Sequence, residues 1–232
     1  MRKEVQQRLL ELVKRNYEEI AEDYDRTRRK HSDPLFTELK KHAQRVQKGD
    51  KVLDAGCGNG RLLELLPEQV EYLGVDSSEK LIKICRERFS SYRFRVMDIL
   101  NLKELEEKEF DHIFSVAVLH QIPGKEWRVE ALKQMKKKLE REGRIVITVW
   151  NLWVQKKMRK RLLRFSLLKL LGKNKMDWKD VLFDWKKGDR TSQRYYHAFT
   201  RRELKRTIKQ AGLNWEEISK DGYNYFAVLK RK

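Results

Sequence analysis

Val52-Leu53-Asp54-Ala55-Gly56-Cys57-Gly58-Asn59-Gly60 is the stretch on which the reading of the fold turns. Its first residues complete a strand predicted over Lys51–Ala55, and three alternate glycines follow. Glycines let the chain turn tightly and let backbone approach a ligand closely. At the carboxyl end of a parallel strand, such a loop marks a binding site. The spacing is not the Gly-x-Gly-x-x-Gly of dinucleotide-binding proteins, and Asp54 would set a negative charge against a pyrophosphate. A dinucleotide oxidoreductase is therefore disfavoured. A cationic amino-acid cofactor without phosphate tolerates that carboxylate.

Downstream, short apolar strands alternate with helical patterns. Strands are predicted at Tyr72–Val75, Tyr92–Val96, Phe110–Val116 and Arg144–Val149. Helices are predicted to start at Arg61–Leu66, to run from a Ser77 or Ser78 cap through Phe89, and to cover Glu126–Leu139. This rhythm is that of a mainly parallel α/β sheet covered on both faces. Asp76 ends the second strand, 22 residues after Asp54, where a carboxylate can accept from two ribose hydroxyls. Asp98 follows the third strand and can accept from an adenine amino group. One aspartate at a strand end would read as a helix cap; successive ones behind this loop read as a nucleoside site.

Residues 1–48 form a predicted N-terminal helical cap, with Val5, Leu9, Leu12, Val13, Tyr17 and Ile20 on one helical face and a second helix starting at Pro34. Residues 49–232 form the main domain, with a basic insertion at about 152–192. In that insertion Val154, Met158, Leu162 and Phe165 make a helical stripe, and Trp178, Phe183 and Trp185 are placed in a loop. A helix over Arg201–Ala211 stops at Gly212. Strands at Leu213–Ile218 and Tyr223–Leu229 close through an Asp221-Gly222 hairpin.

The 232 residues carry a net charge of +19, and Leu152–Arg206 holds 18 Lys and Arg against 5 Asp and Glu. An excess this concentrated favours a polyanionic partner, because positive surfaces attract phosphate backbones and anionic membranes alike. Lys156, Lys157, Arg159, Lys160, Arg161 and Arg164 can track phosphates, and Trp153, Trp178 or Trp185 can stack on unpaired bases. The same amphipathic segment suits an anionic membrane as a second reading. Cys57 and Cys85 make no disulfide framework and have no histidine at metal-ligand spacing, so no metal ligand is assigned. The charged start and the lack of a long apolar run carry the expectation of a cytoplasmic protein.

The loop with Asp76 and Asp98 resembles the class I S-adenosylmethionine (SAM)-dependent methyltransferases over roughly residues 48–150. The resemblance implies a Rossmann-like, seven-stranded, mostly parallel sheet of order 3-2-1-4-5-7-6 with strand 7 antiparallel. It also implies that Gly56, Gly58 and Gly60 hold the methionine part of SAM. Asp76 with Ser77 takes the ribose, Asp98 with Ile99 the adenine. Asp54 orients the loop or meets the ammonium group through water. Ser115 begins the Ser115-Val-Ala-Val-Leu-His120 stretch beneath the reactive methyl.

Methyl transfer chiefly needs alignment of nucleophile and methyl. A hydroxyl or ring nitrogen may call for a general base, for which His120 is the candidate. An ionised carboxylate needs none and is better held by a guanidinium. Further stretches bear on that choice: Tyr17-Glu-Glu-Ile-Ala-Glu-Asp-Tyr24-Asp-Arg-Thr27-Arg28, Val149-Trp150 and Gln193-Arg194-Tyr195-Tyr196-His197-Ala-Phe199. With Ser115–His120 they resemble the eukaryotic tRNA wobble-uridine carboxymethyl methyltransferases and the methyltransferase domain of their AlkB-fused relatives. That resemblance implies a tRNA acceptor, a small zinc-containing activator protein, and Arg28, His120, Arg194, Tyr195 and His197 as acceptor-pocket residues. The chain departs from the pattern at His120-Gln121, Glu142-Gly143 and Asn151–Gln155. The alternatives are a small or lipid-like acceptor, or a subunit that keeps the fold without the chemistry.

Overall fold

The computed structural model describes residues 1–28, 34–187 and 190–232. Two helices, α1 (Lys3–Arg28) and α2 (Pro34–Ala43), precede β1 (Lys51–Ala55) and β2 (Glu71–Asp76). Next come α3 (Glu79–Arg88), β3 (Arg93–Val96), β4 (Phe110–Val116), α4 (Lys125–Lys138) and β5 (Leu139–Trp150). The chain then makes α5 (Lys156–Leu170), β6 (Asp180–Lys187), β7 (Arg190–His197) and α6 (Arg201–Gln210), and finishes with β8 (Leu213–Lys220) and β9 (Asn224–Arg231).

Seven strands form one sheet in the order β3-β2-β1-β4-β5-β9-β8. The first five are mutually parallel, while β9 runs antiparallel to both β5 and β8. With β8 and β9 in the places of strands 6 and 7, this is the expected order. Alternation along the strands builds two cores, because successive side chains point to opposite faces. Leu53, Leu73, Ile113 and Ile147 pack with Ala131, Leu132 and Met135 of α4 and Leu204 and Ile208 of α6. Val52, Tyr72, Phe114 and Val146 pack instead with Leu39 of α2 and Ile82 and Cys85 of α3.

Two expectations are corrected. Arg61–Leu65 is a short 3-10 turn and not the start of an α-helix. Pro67 follows Leu66, and a residue before proline is driven out of helical space; Leu66 is extended, at φ −86 and ψ 152. The Trp178–Trp185 loop contains a strand: β6 pairs antiparallel with β7 from Asp180↔His197 to Lys187↔Arg190. This hairpin is a separate two-stranded sheet. The two N-terminal helices pack on different parts of the molecule. While α2 covers the sheet face, α1 bonds to α3 through Glu18 and Ser78 (2.6 Å) and to β7 through Asn16 and the Gln193 carbonyl (2.8 Å).

Candidate active site

All five parallel strands deliver a residue at their carboxyl ends to one cavity of about 530 Å³: Gly56 after β1, Asp76, Asp98, Val116 and Trp150. Gly58, Ser77 and Ile99 also line it, as do Arg28 from the end of α1 and Arg194 from β7. A volume of this size lies within the ordinary range of cofactor pockets.

The glycine loop is shaped by backbone geometry. Gly56 sits at φ 89 and Gly58 at φ 57, the left-handed region that side chains disfavour. A Cβ on Gly56 would lie 2.4 Å from Val118 Cγ2. The loop is then clamped by Asp76. Gly58 N–H donates to Asp76 Oδ2 (2.9 Å), and Ser78 N–H to Oδ1 (3.0 Å). Burial pushes the Asp76 carboxyl up, and these backbone donors oppose the shift. Asp98 both faces the cavity and caps the next turn: Leu100 N–H donates to Oδ1 (2.9 Å), and Lys14 lies 2.7 Å from Oδ2. Of the two predicted cap residues for α3, Ser78 is the one used, accepting from Leu81 N–H.

Three cofactor candidates support the loop from beneath without lining the cavity. Asp54 is buried and accepts from the Tyr72 hydroxyl at 2.9 Å; burial raises its carboxyl to about 7. Ser115 Oγ donates to the Ala55 carbonyl at 2.9 Å, tying β4 to the end of β1. Gly60 caps the 3-10 turn, where a side chain would run into Phe89 and Cys85.

The acceptor candidates divide sharply. Arg28 and Arg194 line the cavity; His120, Tyr195 and His197 do not. His120 is fully buried between Trp150 and Tyr196, with ring centroids at 5.1 and 5.3 Å. Burial drives its imidazole down to about 3. A base so weak, enclosed by rings, does not fit the general-base role read from the sequence. Its neighbour Gln121 reaches the cavity instead. Tyr195 packs with Leu9 and Met176 under α1. The His197 ring is held by Asp180 at 2.7 Å and Glu203 at 2.9 Å, and so fastens the hairpin to α6. Burial favours a neutral Glu203, but His197 and Lys179 outweigh it and hold that carboxyl at about 2.

The sequence reading missed the cavity face of α1. Lys14, Tyr17 and Tyr24 line the site, and a Cβ on Gly58 would meet the Tyr24 hydroxyl at 3.2 Å. Tyr17 and Tyr24 stand two turns apart, a spacing that puts both on one face, but Tyr17 was read as core. Tyr17, Gln121, Arg194 and Tyr196 come together at a small adjoining pocket. Ala117, at φ 59, also lines the cavity, its N–H bonded to Thr148 Oγ1 at 2.9 Å. Strained backbone of this kind concentrates at functional sites.

A nucleoside joined to a cationic amino acid fits these residues. The strand-end carboxylates are already oriented, Gly56 and Gly58 line the cavity, and the loop leads to a 3-10 turn instead of the α-helix N-terminus that phosphates favour.

Known proteins agree. The methyltransferase domain family matches residues 46–212. The tRNA (carboxymethyluridine(34)-5-O)-methyltransferase of Saccharomyces cerevisiae is 36% identical over 142 residues, covering 61% of this chain and 49% of that protein. The Arabidopsis thaliana protein of the same name is 35% identical over 141 residues, covering 60% and 32%. The chain thus spans about half or less of the length of these curated relatives. Among solved structures, the CcbJ methyltransferase of Streptomyces caelestis aligns with TM-score 0.68 at 17% identity, covering 93% of this chain and 98% of the other. A complex of DhpI with SAH aligns with TM-score 0.71 at 14% identity, covering 96% and 97%. These two show a shared fold. The chain belongs to the methyltransferase domain family.

Proposed function

We propose that the chain esterifies the carboxymethyl group of a modified wobble uridine in tRNA. The observation that carries this reading is the pairing of two cavity-lining guanidiniums, Arg28 and Arg194, with the enclosure of His120 away from the cavity. A carboxylate is ionised at neutral pH and needs alignment more than deprotonation. Guanidinium grips both of its oxygens. When bound, SAM supplies an electrophilic methyl group on a sulfonium. Gly56 and Gly58 would cradle its methionine part, Asp76 its ribose, and Asp98 with Ile99 its adenine. Arg194, beside Tyr196 and Tyr17, would orient the acceptor carboxylate, and Arg28 would add positive charge.

The similarity to relatives named as tRNA methyltransferases supports the RNA half of the proposal. So does the exposure of Lys156, Lys157, Arg159, Lys160 and Arg164 on α5. Arg161 is turned onto the Phe183 ring at 4.4 Å, and the Trp153 indole N–H donates to the Phe199 carbonyl at 3.1 Å. These two serve packing. Trp178, 51% exposed, is left for stacking; the Trp185 side chain lies outside the described residues. A cytoplasmic setting and a zinc-containing activator protein belong to the same proposal. One observation favours a second reading, a lipid-like acceptor: Leu163 and Leu170 of α5 are 71% and 72% exposed among the cations. No helix among the described residues is long and apolar enough to cross a membrane.

The test is labelled SAM incubated with total tRNA and a lipid extract, followed by nucleoside mass spectrometry. The expected product is a base-labile methyl ester on an anticodon-loop uridine, with tRNA binding that weakens steeply as salt rises. Labelled lipid without a labelled nucleoside would establish the second reading. Absence of saturable SAM binding would leave a non-catalytic subunit.

A further inference from the structure

On the face of the sheet covered by α2, His42 is 4% exposed, yet neither ring nitrogen has a hydrogen-bond partner among the described residues. Buried polar groups are nearly always partnered, so each orphan calls for a physical reason. Glu38 and His42 stand four residues apart on α2 and therefore share a face. Facing them is the edge strand β8, whose register slips between Trp215 and Glu217. Such bulges re-aim side chains. The two consecutive glutamates take different partners: Glu216 binds Arg144 at 2.8 Å, and Glu217 turns towards His42. One ligand atom each from Glu38, His42 and Glu217 lies within 4.8 Å of the other two.

We propose that Glu38, His42 and Glu217 form a binding site for one divalent transition-metal ion, zinc being the best chemical match. One imidazole and two carboxylates suit a borderline-soft dication, with water completing a four-coordinate shell. A purely oxygen-seeking ion such as magnesium gains little from the imidazole. Two cations now balance the carboxylates, Lys41 at 2.6 Å from Glu38 and Arg45 at 3.9 Å from Glu217. The metal would displace them. That competition makes the site weaker than an all-thiolate structural site. Because its ligands come from α2 and β8, the ion would staple the N-terminal segment to the sheet edge.

Untagged, metal-stripped full-length protein titrated with zinc by calorimetry, and with cobalt by absorption spectroscopy, tests this. One ion per chain is expected, with visible cobalt bands of nitrogen–oxygen coordination. Saturating zinc is expected to raise the melting temperature by roughly 5 °C, since an ion that binds only the folded state stabilises it. Glu217→Gln, at a half-exposed position that the fold tolerates, should weaken binding at least tenfold, and His42→Gln should abolish it. SAM affinity should stay unchanged in both variants. No stoichiometric binding, equal affinity in both variants, or a cobalt–thiolate band pointing to Cys57 and Cys85 would each overturn the assignment.

Discussion

The cofactor side and the acceptor side of the cavity are held together by different means. On the cofactor side, main-chain groups do the positioning: Gly58 and Ser78 amides grip Asp76, and the Leu100 amide grips Asp98. On the acceptor side, side chains position side chains. Trp150, His120 and Tyr196 pack ring on ring, and Arg194 and Tyr196, on a hairpin outside the main sheet, come together with Tyr17 of α1. Backbone clamps change little under substitution of neighbouring residues, whereas a stack of side chains can be rebuilt one residue at a time. The arrangement lets acceptor preference diverge while cofactor recognition stays put.

That contrast can be broken by experiment. The largest effect is expected from Asp76→Ala, which removes a charged acceptor whose hydrogen bonds are worth about 1.5–3 kcal/mol each. SAM affinity should fall at least ~100-fold by calorimetry, with tRNA affinity unchanged; a parallel loss of both would mean the two sides are not separable. Arg194→Ala should reduce kcat/KM for the acceptor by roughly 100-fold while SAM affinity stays within about twofold. Equal loss of SAM binding would move Arg194 to the cofactor side.

The smallest effect sharpens the role of Asp54. Its folded-state pKa, about 7, lies above the unfolded value of 3.8. The neutral form's stabilisation is therefore fully present below about pH 4 and is lost as pH rises through about 7. Asp54→Asn keeps an acceptor for the Tyr72 hydroxyl and has no charge to bury. Its melting temperature relative to the parent should climb between pH 4 and 8, by roughly 5 °C at the upper end. A gap that is flat with pH would show Asp54 ionised throughout.

These two sides were also unequally legible in the sequence. The glycine loop, Asp76 and Asp98 each sit at a strand end, so short-range spacing placed them. β6 escaped because Val181 and Phe183 acquire strand character only from pairing with Tyr196 and Arg194. His120 was misread because its enclosure needs Trp150 and Tyr196 from distant elements. His197 looked like pocket chemistry and is a buried fastening between Asp180 and Glu203. Residue type announces what a side chain could do; only long-range packing decides what it faces.

One turn of α1 reaches both sides. Lys14 meets Asp98, Asn16 bonds to β7, and Tyr17 shares a small pocket with Tyr196 and Arg194. Cofactor and acceptor therefore act on the same few backbone torsions. A ligand that immobilises this turn lowers the entropic cost of ordering it for the other, and thermodynamic reciprocity makes the assistance mutual. With the proposed cofactor and acceptor in place, α1 would be, in free-energy terms, the linkage between the two binding events.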